Sequence, residues 1–81
     1  MRIRVLAFAT AAAALGAAET ERELPAGATV ADLRRTLADE SERLAACMAR
    51  VAIAVDGALA RPETALVPGC EVALLPPVSG G

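Results

Sequence analysis

The chain ends Leu75-Pro76-Pro77-Val78-Ser79-Gly80-Gly81. The carboxylate of Gly81 is the one group in the sequence whose setting suggests covalent chemistry. A carboxylate is a poor electrophile and must be activated before it can transfer anything. Once activated, it needs access to a partner's active site. Two glycines lack Cβ atoms, so they make a thin thread that can enter a narrow channel. Pro76 and Pro77 hold φ near −65° and favour an extended stem. The six residues from Pro76 to Gly81 span at most ~20 Å. Frayed glycine- and serine-containing ends are common. A bare Gly-Gly end carries little weight without the Pro-Pro-Val and the strand-like run before it.

The rest of the composition removes other chemistry. There is no His, Lys, Trp or Tyr among the 81 residues. Without His the usual neutral-pH general base is missing. Without Lys no Schiff base forms and no Lys-linked isopeptide chain can be built on this protein. Cys47 and Cys70 alone do not supply a zinc cluster, so no metal and no permanently bound cofactor is expected. A disulfide between them is arithmetically possible, but two cysteines make no framework. Cys47, in an Ala/Leu/Met segment, reads as a small buried hydrophobe. Cys70, after Pro68-Gly69, reads as the more exposed thiol. All eight basic residues are Arg, set among ten acidic ones for a net charge of −2. That balance argues against nucleic-acid binding, which calls for a basic stripe and stacking aromatics. The chain by itself is not expected to be an enzyme.

The elements that must position the tail follow from periodicity. Ile3 and Val5 alternate with Arg2 and Arg4, which predicts a first strand over residues 2–9. The same segment, running on to Ala18, also has the charge and small-residue pattern of a signal peptide. The alternation favours the strand, and the apolar stretch is too short to span a bilayer. Residues 10–18 form a short helix or a wide loop. Residues 19–24 suit an exposed second strand ended by Pro25-Ala26-Gly27. Thr29 is a helix N-cap, with Asp32 completing a weaker capping box. Val30, Leu33 and Leu37 form the apolar stripe of the main helix, to about Asp39. Ser41 caps a shorter helix over residues 42–48. Val51, Ile53 and Val55 suggest a strand buried on nearly both faces. Asp56-Gly57 is a hairpin signal, with the return strand over residues 58–60. Residues 61–67 connect to the turn Pro68-Gly69. The last strand, residues 71–75, runs straight into Pro76.

This order predicts an α+β fold: a body over residues 1–75 with one main helix across a mixed sheet, and a tail over residues 76–81. Pairing the last strand beside the first would leave the tail emerging from the end of the sheet.

Three segments carry a resemblance: Val51-Ala52-Ile53-Ala54-Val55-Asp56-Gly57, Pro68-Gly69-Cys70-Glu71-Val72, and Leu74 through Gly81. With residues 3–9 and Thr29-Val30-Ala31-Asp32-Leu33, they make the chain similar to the small subunit of molybdopterin synthase. That family is a group of ubiquitin-like sulfur carriers of the β-grasp fold. The nearly all-alanine segment 10–15 departs from its more polar first helix.

The resemblance implies that Gly81 is a covalent carrier. An adenylating enzyme would spend Mg-ATP to join its carboxylate to AMP. A persulfide donor would convert it to a thiocarboxylate. The tail residues Pro76, Pro77, Val78, Ser79 and Gly80 would thread into the large subunit of a cytoplasmic heterotetramer and deliver sulfur to cyclic pyranopterin monophosphate. Phe8, Leu59 and Leu75 are the candidate docking residues, although Phe8 and Leu75 equally suit a core. Carriers for thiamine, cysteine or tRNA thiolation would use the same tail, as would a ubiquitin-like modifier. A secreted binding protein cleaved near Ala18 is the remote alternative.

Overall fold

A computed structural model describes residues 1–77. The elements are β1 (Arg2–Ala7), α1 (Ala9–Leu15), β2 (Glu19–Glu23), α2 (Val30–Ala38), α3 (Glu42–Met48), β3 (Ala52–Val55), β4 (Ala58–Leu59) and β5 (Glu71–Leu75). The five strands form one mixed sheet in the order β2-β1-β5-β3-β4. As expected, the last strand lies beside the first. β5 runs parallel to β1, with Val5 opposite Val72 and Ala7 opposite Leu74. It runs antiparallel to β3, with Ile53 opposite Leu74. This is the mixed α+β sheet that the element order predicts, in the β-grasp arrangement that the resemblance implies. Within the segment weighed as a signal sequence, Arg2–Ala7 is a strand paired on both sides and Ala9–Leu15 is a helix.

The pattern of burial along the strands sets the two faces of the sheet. Ile3, Val5 and Ala7 of β1, Ile53 of β3, and Val72 and Leu74 of β5 are buried on the inner face. Leu33 and Leu37 of α2, Leu44 and Met48 of α3, and Ala11 of α1 join them in one core. All three helices cover this face, and the other is left to solvent. Burying each large aliphatic side chain contributes roughly 1.5–3 kcal/mol. No polar or charged residue is buried among the described residues.

β1 ends two residues earlier than expected. Phe8 is still extended and caps α1, but Ala9 takes φ 49° and turns the chain into the helix. The alanine-rich segment forms that helix because alanine has the highest helix propensity. Gly16 ends it at φ 84°, a left-handed conformation suited to glycine.

α2 begins with the full capping box. The Asp32 N–H donates to the Thr29 hydroxyl at 3.2 Å, and the Thr29 N–H donates to the Asp32 carboxylate at 2.9 Å. The backbone bond from Thr29 holds the Asp32 carboxyl below its usual range. The Thr29 side chain and then the Arg35 charge act in the same direction. A carboxyl with a lowered folded pKa stabilises the fold above its unfolded pKa, 3.8, and that contribution fades as pH falls through the folded value. Asp32→Asn should therefore be less stable than the parent at neutral pH. The gap should narrow as pH drops below 3.8, read by urea unfolding at both ends of the range. A gap independent of pH would contradict the assignment.

Arg34 ties α2 to the end of α3. Its Nη1 donates to the carbonyl oxygens of Met48 and, at 3.1 Å, Val51. A cation here answers the free carbonyls at a helix C-terminus. Arg34→Met should keep the aliphatic packing and lose these bonds. We expect a cost of about 1–3 kcal/mol from the carbonyls left without the charged donor, measured as a lower urea midpoint.

Residues 61–67 are strapped down rather than loose. Thr29 and Ala65 form an isolated bridge, Val30 N–H donates to the Thr64 carbonyl, and Leu66 is buried.

Candidate functional site: the open face of the sheet and the tail base

The outer face carries the side chains that alternate with the core. On β1 these are Arg2, Arg4 and Leu6, and on β2 Glu19, Glu21 and Glu23. On β5 they are Glu71, Ala73 and Leu75. The register sorts them into two regions. Arg2 pairs with Glu23 at 3.1 Å and Glu21 at 3.7 Å. Arg4 pairs with Glu19 at 3.1 Å and Glu71 at 3.5 Å. These exposed pairs contribute little stability each. They tile one part of the face with mutually neutralised charge.

The other part is apolar. Leu6 lies opposite Ala73. The paired register ends at Ala7 opposite Leu74, and the next residue on each side is the still-extended Phe8 and Leu75. Ala52 lies opposite Leu75 on the far side, and Ala54 lies opposite Ala73 and Leu59. Phe8 is 49% exposed and Leu59 76% exposed, while Leu75 is half-buried. β1, β5, β3 and β4 therefore assemble one apolar patch from residues far apart in the chain.

The tail leaves from this patch. β5 ends at Leu75, Pro76 is half-buried and Pro77 is exposed. The candidate carrier Gly81, with Val78, Ser79 and Gly80, lies outside the described residues.

The structure thus brings Phe8, Leu59 and Leu75 onto one face and answers the question left open for Phe8: it is not in the core. Leu6, Ala52 and Ala73 belong to the same patch and were not anticipated, while Ala54 on the same face is itself buried. Leu6 could have been found, because it precedes Phe8 by two along one strand. Val67, 56% exposed, is a third large exposed hydrophobe. It sits apart, beside the turn whose Gly69 N–H donates to the Arg2 carbonyl.

The expectations for the cysteines are reversed. Cys70 is buried, with 3% of its surface exposed, and Cys47 is half-buried. Cys70 shares the inward phase of Val72 and Leu74, so β5's alternation carries it into the core. Cys47 sits on α3 at the edge of the core. Both thiols are free. Among the described residues no group of His, Cys, Asp or Glu could hold a metal ion. Nor is any described helix long and apolar enough to cross a membrane.

Comparison with known proteins agrees with this architecture. Residues 5–81 match the ThiS family. No curated protein matches the sequence. Among solved structures, SAMP1 from Haloferax volcanii superposes with a TM-score of 0.88 at 26% identity, covering 100% of both chains. A putative molybdopterin converting factor subunit 1 from Pyrococcus furiosus gives 0.87 at 31% identity, covering 96% of this chain and 99% of that one. The complex of subunits 1 and 2 of the molybdopterin-converting factor from Helicobacter pylori gives 0.73 at 28% identity, covering 100% of both chains. With a match over nearly its whole length and the fold of these relatives, the chain belongs to the ThiS family of ubiquitin-like β-grasp proteins.

Proposed function

We propose that this protein is the sulfur-carrier subunit of a cytoplasmic molybdopterin synthase. The observation that carries the reading is the apolar half of the open face, which ends where β5 hands the chain to Pro76-Pro77 and the Gly-Gly terminus. A partner that covers Phe8, Leu59 and Leu75 would hold the tail at a fixed origin. The similarity to a subunit 1 seen in complex with its subunit 2 supports a large-subunit partner.

The chemistry follows from the carboxylate. A partner adenylating enzyme binds Mg-ATP, and a Gly81 carboxylate oxygen attacks the α-phosphorus, releasing pyrophosphate. A donor persulfide then attacks the acyl carbon and expels AMP. Reduction of the resulting acyl disulfide by a thiol leaves the thiocarboxylate. In the large subunit that sulfur passes to cyclic pyranopterin monophosphate. Two sulfurs make a dithiolene, so the carrier leaves and is recharged between deliveries. This chain supplies no acid, base or cofactor to these steps. It supplies the acyl group, the extended stem and the docking face.

A second reading is favoured by the similarity to SAMP1, a small archaeal modifier protein: the same activated terminus could be joined to a target amine. Carriers for thiamine, cysteine or tRNA thiolation share the tail chemistry.

Intact mass analysis after incubation with ATP, an adenylating enzyme and a persulfide donor tests the carrier role. We expect one oxygen replaced by sulfur at Gly81, and its loss on adding large subunit and pterin substrate. An unchanged mass with several competent activating systems would overturn the carrier role. A charged carrier drained by another recipient, or adducts of higher mass, would select one of the other readings.

A further inference from the structure

The outer sides of α2 and α3 meet over a groove of about 370 Å³. Helical spacing sets Ala31, Arg34, Arg35 and Ala38 along one wall. Ala45 and Ala49 of α3 form the other, and buried Met48 is the floor. Pro62 closes one end, held there because its carbonyl accepts from the Ala31 N–H at 2.9 Å. The groove has a simple origin. Leu33, Leu37 and Leu44 turn into the core, and the alanines left between the helices are too short to fill the space.

Two guanidiniums give this apolar groove a positive charge. Nη1 of Arg34 is held by the Met48 and Val51 carbonyls, which fixes that cation in place. The Arg35 side chain is 70% exposed, and its contact with Asp32 Oδ1 is long, at 3.5 Å. Such exposed pairs hold weakly, and the other Asp32 oxygen is engaged in the capping box. Among the described residues no carboxylate lines the groove.

We propose that the groove binds a small anionic amphiphile: an alkyl chain of medium length lies on the alanines, and its carboxylate sits on the Arg35 fork beside the fixed charge of Arg34. A planar guanidinium meets a carboxylate with two parallel hydrogen bonds. The volume is at the lower end of the ~300–1,000 Å³ of ligand sites, which suits one short chain. α2 and α3 cover the inner face of the sheet, so the groove opens away from the patch of Phe8 and Leu59. A ligand here and a partner there do not compete, and the proposal does not depend on the sulfur-carrier reading.

Octanoate is the probe, titrated into the full chain and read by amide NMR. Shifts should appear at Ala31, Arg35, Ala45 and Ala49, with a Kd of about 1–10 mM for so small a ligand. Octylammonium has the same chain and the opposite charge, and should bind at least about 10-fold more weakly. Acetate, the head group alone, should leave these amides unmoved. Arg35→Gln should weaken octanoate binding about 10-fold through loss of the charged fork. Ala45→Leu, on an exposed helical position, should weaken it at least as far by filling the groove. Phe8→Asp is the control and should bind octanoate like the parent. Urea midpoints of the variants check the fold. Absence of shifts at the groove, or shifts confined to Phe8 and Leu59, would overturn the proposal. So would equal binding of octanoate and octylammonium, or parent-like affinity in either Arg35→Gln or Ala45→Leu. Shifts at the same residues on raising protein concentration alone would give the groove to a second copy and overturn the assignment to a small ligand.

Discussion

Gly80→Ala should abolish sulfur transfer and leave the fold unchanged. The buried apolar residues of the described chain, from Ile3 to Leu74, pack into one core cluster, and Gly80 brings no side chain that a core could depend on. Thermal and urea unfolding of the variant should therefore overlay the parent. The loss lies in the partner's channel, where a Cβ widens the thread and narrows the backbone conformations open to it. Adding one residue after Gly81 attacks the same step differently. It moves the carboxylate by up to ~3.6 Å while leaving Gly80 in place. Misplacing a reacting group by 1 Å can cost about 100-fold in rate, so both variants should fall at least that far in thiocarboxylate formation or turnover. Normal formation and turnover in both would sink the assignment of Gly81 as the working end.

Phe8→Asp and Leu59→Asp should each weaken binding to the large subunit by about 30- to 1000-fold, the range of a ~2–4 kcal/mol hot spot. Both side chains are exposed, at 49% and 76%, so neither change opens a cavity. The stability cost should stay within about 0.5 kcal/mol, as for surface substitutions elsewhere. Binding falls for two reasons: apolar contact area is lost, and a carboxylate is desolvated against an apolar partner surface. Titration calorimetry with the large subunit reads the affinity, and urea midpoints check the fold. Val67→Asp, on a side chain whose exposure of 56% lies between those two and which sits away from the patch, is the internal control and should bind like the parent. Parent-like affinity in Phe8→Asp and Leu59→Asp would place the interface elsewhere.

Much of the fold was legible because it is locally encoded. Thr29 and Ser41 cap helices through their own hydroxyls, and Asp56-Gly57 closes a hairpin with both residues at positive φ. The stripe of Val30, Leu33 and Leu37 needs only helical spacing to identify it. β1 was read two residues too long because Phe8 and Ala9 continue its apolar run. The turn comes from Ala9's left-handed backbone, which alanine composition does not announce. The cysteines were misjudged for a similar reason. A Pro-Gly turn suggests exposure, but Cys70 is already in phase with the buried side of β5.

The residues of the tail and the absence of His and Lys determine by themselves what chemistry this chain could and could not carry, since reactivity belongs to residue type. Alternation likewise determines that its strands have two faces. Which face is covered depends on where three helices pack, and which residues meet depends on β5 inserting between β1 and β3. That insertion puts Phe8, Leu59 and Leu75 together, from the beginning, middle and end of the chain. No local pattern contains such a juxtaposition, because strand pairing joins residues by hydrogen bonds across the sheet rather than by their spacing along the chain.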